Sequence, residues 1–149
     1  MTWEPNPYAR GELVVVVDCA DLDRAAMFWS AALGYADAGG ESTTYRSLVP
    51  ADGFGVEILL QRTQDEKHGK NRLHLDLRTR DLDVEVGRVI ELGATMRTVV
   101  PIEEGGWTWH ILEDPDGNEF CVLRPPADYW PPEKPPEKPP EHDLGGRAR

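Results

Sequence analysis

The sequence predicts an α+β fold made of two βαβββ modules, and three observations carry that reading. Asp21-Leu22-Asp23 returns sixty residues later as Asp81-Leu82-Asp83, each time opening a stretch with apolar residues at helical spacing. A glycine stands at the end of each stretch, Gly34 and Gly93. β-rich segments flank both in one order, one before and three after.

In the first module, Glu12 to Asp18 is β-branched and almost continuously apolar, which reads as a buried strand. Asp21 suits an N-cap, and Asp23 places a negative charge near the positive end of the helix dipole. Leu22, Ala25, Ala26, Trp29 and Leu33 then make the apolar stripe of a helix over 21–33. Core packing is the expected role of Trp29. Tyr35 to Ala38, Thr43 to Val49 and Gly55 to Gln61 read as strands, broken by Gly39-Gly40 and by Pro50-Ala51-Asp52-Gly53. Tyr45 and Arg46 fall on opposite faces, with the inward one undecided.

A polar linker over 63–70 leads to the second module. In Asn71 to Arg78, alternation puts Leu73, Leu75 and Leu77 on one face and His74, Asp76 and Arg78 on the other. Leu82, Val86, Val89 and Ile90 form the second helical stripe. Ala94 to Val99 supplies a strand, Pro101 to Gly106 a loop ending in a Gly-Gly turn, and Trp107 to Leu112 a strand with both Trp on one side. Asp114-Pro115-Asp116-Gly117-Asn118 is turn chemistry leading into Glu119 to Leu123.

These elements occupy 12–124, as module one (12–62), linker and module two (71–124), preceded by an extension over 1–11. Beyond them, 125–149 carries a Pro-Pro-Glu-Lys repeat and reads as a disordered, polyproline-II-like tail. The net charge is −11, and the tail has five acids against four bases, so the folded part is acidic. That argues against nucleic acid and anionic membrane surfaces as partners. The first ten residues lack secretory-signal features and no apolar run reaches membrane-spanning length, so a cytoplasmic protein is expected. Cys19 and Cys121 form no Cys-x-x-Cys pair, and both are expected to be reduced.

The duplicated module, the paired Asp-Leu-Asp openings, Lys70-Asn71-Arg72-Leu73-His74-Leu75-Asp76-Leu77 and Asp114-Pro115-Asp116-Gly117-Asn118 together resemble the vicinal oxygen chelate superfamily, and within it a glyoxalase-like, bleomycin-resistance-like group. The resemblance implies a cup, with Leu73, Leu75 and Leu77 under a helix and His74, Asp76 and Arg78 facing the cavity. It implies a small-molecule ligand, and a homodimer, as in many relatives. Metal-dependent relatives hold a divalent ion with residues from the first and last strand of each module. Carried over, those positions are Val14, Glu57, His74 and Cys121. Valine cannot ligate, and cysteine replaces the expected glutamate. What survives is an incomplete set, Glu57, His74 and Cys121, whose donors suit zinc better than a hard ion.

The functions implied are a lyase, isomerase or dioxygenase using that remnant site with Glu57 or His74 as general base, a metal-free enzyme or binder, or a non-catalytic protein sequestering a cationic antibiotic. Two readings stand for several residues. His74 is a ligand, or a pocket histidine satisfied by Asp76. Trp107 and Trp109 stack on a ligand, or fill a core or dimer contact. Arg72 and Arg78 meet an anionic substrate, or pair with acids. No nucleophile elbow, phosphate loop or nucleotide fingerprint is present.

Overall fold

The computed structural model describes residues 13–131. The extension over 1–11, Glu12 and the Pro-Pro-Glu-Lys repeat after Pro131 lie outside the described residues. Module one comprises β1 (Val14–Cys19), α1 (Leu22–Leu33), β2 (Tyr35–Asp37), β3 (Tyr45–Pro50) and β4 (Glu57–Arg62). Module two comprises β5 (Leu75–Arg78), α2 (Leu82–Glu91), β6 (Thr95–Met96), β7 (Ile102–Glu104), β8 (Trp107–Glu113) and β9 (Glu119–Arg124).

Each helix starts where its aspartate caps it. Asp21 accepts from the Arg24 amide at 3.0 Å, and Asp81 from the Val84 amide at 3.1 Å. Each such cap contributes about 1 kcal/mol. Gly34 ends α1 in the left-handed conformation, φ 68°. In α2 the cap is Leu92, and Gly93 follows at φ 116°, where a side chain would be strained. Its amide bonds Ile90 O while that of Ala94 bonds Val89 O, the paired closure of a Schellman motif.

The sheets repeat one topology. The first runs β1-β4-β3-β2 and the second β5-β9-β8-β6, with β7 also on β8. In both, the module's first strand is parallel to its last, β1 to β4 and β5 to β9, and the other pairings are antiparallel. The sheets share a core. Trp29 and Phe28 of α1 pack edge-on against Phe120 of β9 with ring centroids 5.4 and 5.9 Å away, and all three are at most 1% exposed. Burial of each such side chain contributes about 1.5–3 kcal/mol. Arg88 of α2 donates to the Ala31 and Ala32 carbonyls at 2.8 Å, tying the second helix to the exposed carbonyl end of the first.

Five sequence expectations change. β1 is buried on one face only. Val15 and Val17 pack on the core, whereas Val16 is 50% exposed, because β1 is an edge strand whose second face nothing covers among the described residues. Leu73 does not lie under a helix. It is 88% exposed, because ladder pairing starts only at Leu75 and strand alternation does not extend beyond it. The Ala94–Val99 strand shrinks to two residues, and the 101–106 loop contains β7, paired with β8 across the Gly105-Gly106 turn. Residues 125–131 are not simple tail, since Tyr129 and Trp130 pack back on the second sheet. Arg46, left undecided, turns toward α1 and pairs with Asp23 at 2.6 Å, leaving Tyr45 exposed. No helix among the described residues is long and apolar enough to cross a membrane.

Candidate functional site

On the second sheet the face away from α2 carries His74 just ahead of β5, then Asp76, with Cys121 beside it on β9. Register sets these neighbours: Asp76 stands opposite Cys121, and Cys121 opposite Ile111 of β8. The result is a cavity of about 610 Å³. Trp107, Trp109, Ile111 and Leu123 give it an apolar wall, His74, Asp76 and Cys121 a reactive one, and Lys70, Glu104 and Glu119 charged rims. A second cavity of about 630 Å³ lies beside Cys19, the 63–68 segment and Asp116, and has no aromatic wall. The first is the better ligand site, since an apolar wall with a few convergent polar groups is what small-molecule sites provide.

A His74 ring nitrogen, an Asp76 carboxylate oxygen and Cys121 Sγ all lie within 4.8 Å of one another. His74 Nε2 is 3.4 Å from Asp76 Oδ1. Burial, then the nearby Asp76 charge, push the Cys121 thiol up to about 11, so it is protonated at neutral pH. Lys70, 2.7 Å from Glu119 Oε2, holds that carboxyl below its usual range and disfavours it as a proton acceptor.

Glu57, which the resemblance set beside His74 and Cys121, is not in this group. It sits in the first sheet opposite Val14 and accepts from Ser47 Oγ at 2.5 Å. Glu57 stands on β4 of the first sheet, whereas Asp76 and Cys121 are ladder partners on β5 and β9 of the second. The third member of the group is Asp76, two residues from His74. Val14 shares with His74 a separate groove, of about 500 Å³, along the edges of β1 and β5. Trp107 and Trp109 line the main cavity, while Arg78 stacks beyond its end, 5.1 Å from the Trp107 ring centroid. Lys70 was missed as a cavity residue, since its contact with Glu119 spans 49 positions and leaves no local signature. His110 is buried and bonded through Nδ1 to Thr98 Oγ1 at 2.9 Å.

The family model described as a glyoxalase-like domain matches residues 14–123, which spans both modules. The chain belongs to the glyoxalase-like domain family. It therefore sits in the vicinal oxygen chelate superfamily, as the duplicated module implied. Among solved structures, this glyoxalase-like chain is similar to a glyoxalase/bleomycin resistance protein/dioxygenase family enzyme from Burkholderia phytofirmans, with 20% identity, TM-score 0.62, and 74% of this chain and 95% of that one covered. It is similar to a glyoxalase/bleomycin resistance protein from Albidiferax ferrireducens, with 23% identity, TM-score 0.57, and 75% and 96% covered. It is also similar to the fosfomycin resistance protein FosX from Listeria monocytogenes, with 16% identity, TM-score 0.62, and 76% and 88% covered. That FosX structure is a complex with Mn(II) and 1S,2S-dihydroxypropylphosphonic acid. At such identities the likeness establishes the fold alone. No curated protein matches the chain.

The donor set can be tested against the metal the superfamily implies. Bonds of about 2.0–2.3 Å place tetrahedral zinc ligands roughly 3.3–3.8 Å apart. The His74, Asp76 and Cys121 atoms are within about 1 Å of that spacing, and the imidazole and carboxylate are partly exposed and free to adjust. A thiol in the set favours zinc over manganese or magnesium. The residues fit zinc.

Proposed function

We propose that the glyoxalase-like chain is a zinc-dependent lyase or isomerase that binds a small oxygen-bearing organic molecule in the cavity of the second sheet. The observation that carries the reading is the convergence of His74, Asp76 and Cys121 in a cavity with a tryptophan wall. These three residues would hold the metal, with the fourth position left for substrate oxygen. Bound zinc supplies a Lewis acid at that oxygen.

The chain's own residues do the rest. Trp107 and Trp109 present flat surfaces that position the substrate and keep water from one side. His74, as a ligand, does not serve as the base. Glu119 is held ionised and weakly basic by Lys70, so Glu104, which also lines the cavity, is the carboxylate left to take a proton. Cys121 must lose its proton to ligate, so zinc affinity rises with pH.

The half-exposed Val16 and exposed Tyr45 on the first sheet support a homodimer, in which a second copy covers that face. Sedimentation velocity should then show twice the chain mass. For the metal reading, the experiment is zinc reconstitution followed by elemental analysis. About one zinc per chain is expected, with loss in both His74→Ala and Cys121→Ser. Wild type that retains no zinc, or a His74→Ala variant with unchanged content, would overturn it.

A further inference from the structure

The family match ends at Leu123 and β9 at Arg124, yet the next residues are built onto the sheet. Tyr129 stacks edge-on against Trp107, ring centroids 5.1 Å apart, and Trp130 against Tyr129 at 5.4 Å. The Arg78 guanidinium lies 5.1 Å from the Trp107 centroid and 5.4 Å from that of Tyr129, and its Nη1 donates to the Tyr129 hydroxyl. Arg80 repeats the pattern one step outward, 5.1 Å from the Trp130 ring centroid and bonded to the Pro131 carbonyl at 3.2 Å.

Asp and Glu number 27 against 16 Lys and Arg, yet among the described residues no carboxylate pairs with Arg78. Its hydrogen-bond partner is a neutral phenol on a side chain of a residue that is 44% exposed. A planar guanidinium makes shorter, stronger and bidentate bonds to an anionic oxygen, so the site accepts a weaker partner than its chemistry allows. Its position adds to the point. Arg78 and Trp109 both stand opposite Leu123, one row along from the row in which Asp76 and Ile111 stand opposite Cys121. Two strand residues separate rows on one face by about 7 Å, within reach of one small molecule.

We propose that Arg78 and Trp107 form a subsite for an aromatic oxyanion, an aryl carboxylate or a phenolate, and that Tyr129 is its built-in occupant, displaced by the ligand. The proposal deepens the functional reading above and rests on it for the cavity. The ligand ring takes the place of Tyr129 against Trp107. Its oxyanion takes the Arg78 N–H groups, and the remainder extends past Trp109 and Leu123 toward Cys121. Glu104, opposite Trp107 in the ladder, opposes an anion here. Arg124, which lines the adjoining cavity beside Trp130, offsets it. The occupant lowers apparent affinity by the fraction of time that it holds the site.

The test uses the full chain, titrated with 4-hydroxybenzoate and with the uncharged 4-hydroxybenzamide, followed by tryptophan fluorescence and calorimetry. The carboxylate should bind at least tenfold tighter than the amide, and Arg78→Met should weaken it at least tenfold. Tyr129→Ala should tighten it at least threefold. Tyr129→Phe keeps the ring and removes only the hydroxyl, so it should tighten by a smaller factor even if the alanine variant disturbs the segment. Equal binding of the two probes, or weaker carboxylate binding in both Tyr129 variants, overturns the proposal. Zinc content measured alongside separates the two readings: zinc without carboxylate binding overturns the subsite alone, and Arg78-dependent carboxylate binding without zinc overturns the metal reading alone.

Discussion

Trp29 Nε1, on the first helix, donates to Asp114 Oδ2 at 3.0 Å, across 85 positions of sequence. Around that bond Asp114 also accepts from the amides of Asp116 and Asn118 at 2.9 and 2.8 Å, and from Asn118 Nδ2 at 3.0 Å. Asp116 Oδ1 accepts from the Ala20 amide and Arg24, and Asn118 Nδ2 donates to Asp18 O. The Asp114 to Asn118 turn is therefore the clasp that holds the second module to the β1–α1 corner of the first. Burial raises the Asp114 carboxyl pKa even against those donors, which marks how far the group is withdrawn from water.

Removing the clasp should cost more than an ordinary turn substitution. Asp114→Ala strands a buried indole N–H and the turn amides, at about 3 kcal/mol in total. Trp29→Phe removes one donor and some core volume, at about 2 kcal/mol. The double variant should lose less than the sum, because both changes delete one bond. Urea midpoints of the four proteins check this, and full additivity would refute the coupling.

Both thiols make alkaline stability informative. Cys19 and Cys121 are raised from 9.0 to about 11, with burial the leading cause in each. A folded value above the unfolded one gives stability that is complete below pH 9 and lost as pH rises from 9 through about 11. Two units correspond to about 2.7 kcal/mol per thiol at most. Cys121→Ala should flatten roughly half of the thiol-dependent slope between pH 9 and 11 in chemical denaturation. A slope unchanged by the substitution would show that the thiol titrates normally.

Much of the fold was legible because its signals are local. An aspartate three residues ahead of a helical amide and a glycine just past the last turn need no tertiary information, and both helices start and stop where those residues stand. Alternation over 71–78 likewise put His74 and Asp76 on one face, and the resemblance added Cys121; the three donors lie within 4.8 Å of one another. Three features were not local. Glu57 and Cys121 hold corresponding last-strand positions of the two modules but lie on different sheets. Tyr129 meets Arg78 across 51 positions, inside a segment whose proline content reads as tail. Leu73 fits the alternation read from the sequence but precedes the first ladder pair of β5.

The Leu73 difference can be measured directly. Leu73→Ser should change stability by less than about 0.5 kcal/mol, as expected of an exposed side chain away from special features. Leu77→Ser, in a residue packed against the core cluster, should cost about 2 kcal/mol or more through lost burial and a poorly satisfied hydroxyl. Similar costs for the two would return Leu73 to the core.

Glu57 and Asp76 divide the metal question in the same way. Each is an acid in or near a strand paired with its module's first or last strand, and by chain position alone Glu57 had the stronger claim. Asp76 lies within 4.8 Å of both other donors, whereas the Glu57 carboxylate is taken by Ser47 on its own sheet. Asp76→Asn keeps the shape and removes the charge that a divalent cation requires from its one carboxylate ligand, so zinc affinity should fall by about 10-fold or more. It should also lower the Cys121 pKa, because the Asp76 charge is among the causes that raise it. Faster alkylation of Cys121 in the metal-free Asp76→Asn protein at pH 9 reads that second effect independently of zinc. Glu57→Gln should leave both the zinc content and the alkylation rate of a single chain as they are. Zinc lost on Glu57→Gln and kept on Asp76→Asn would move the site to the first sheet, with Glu57 rather than Asp76 as its carboxylate.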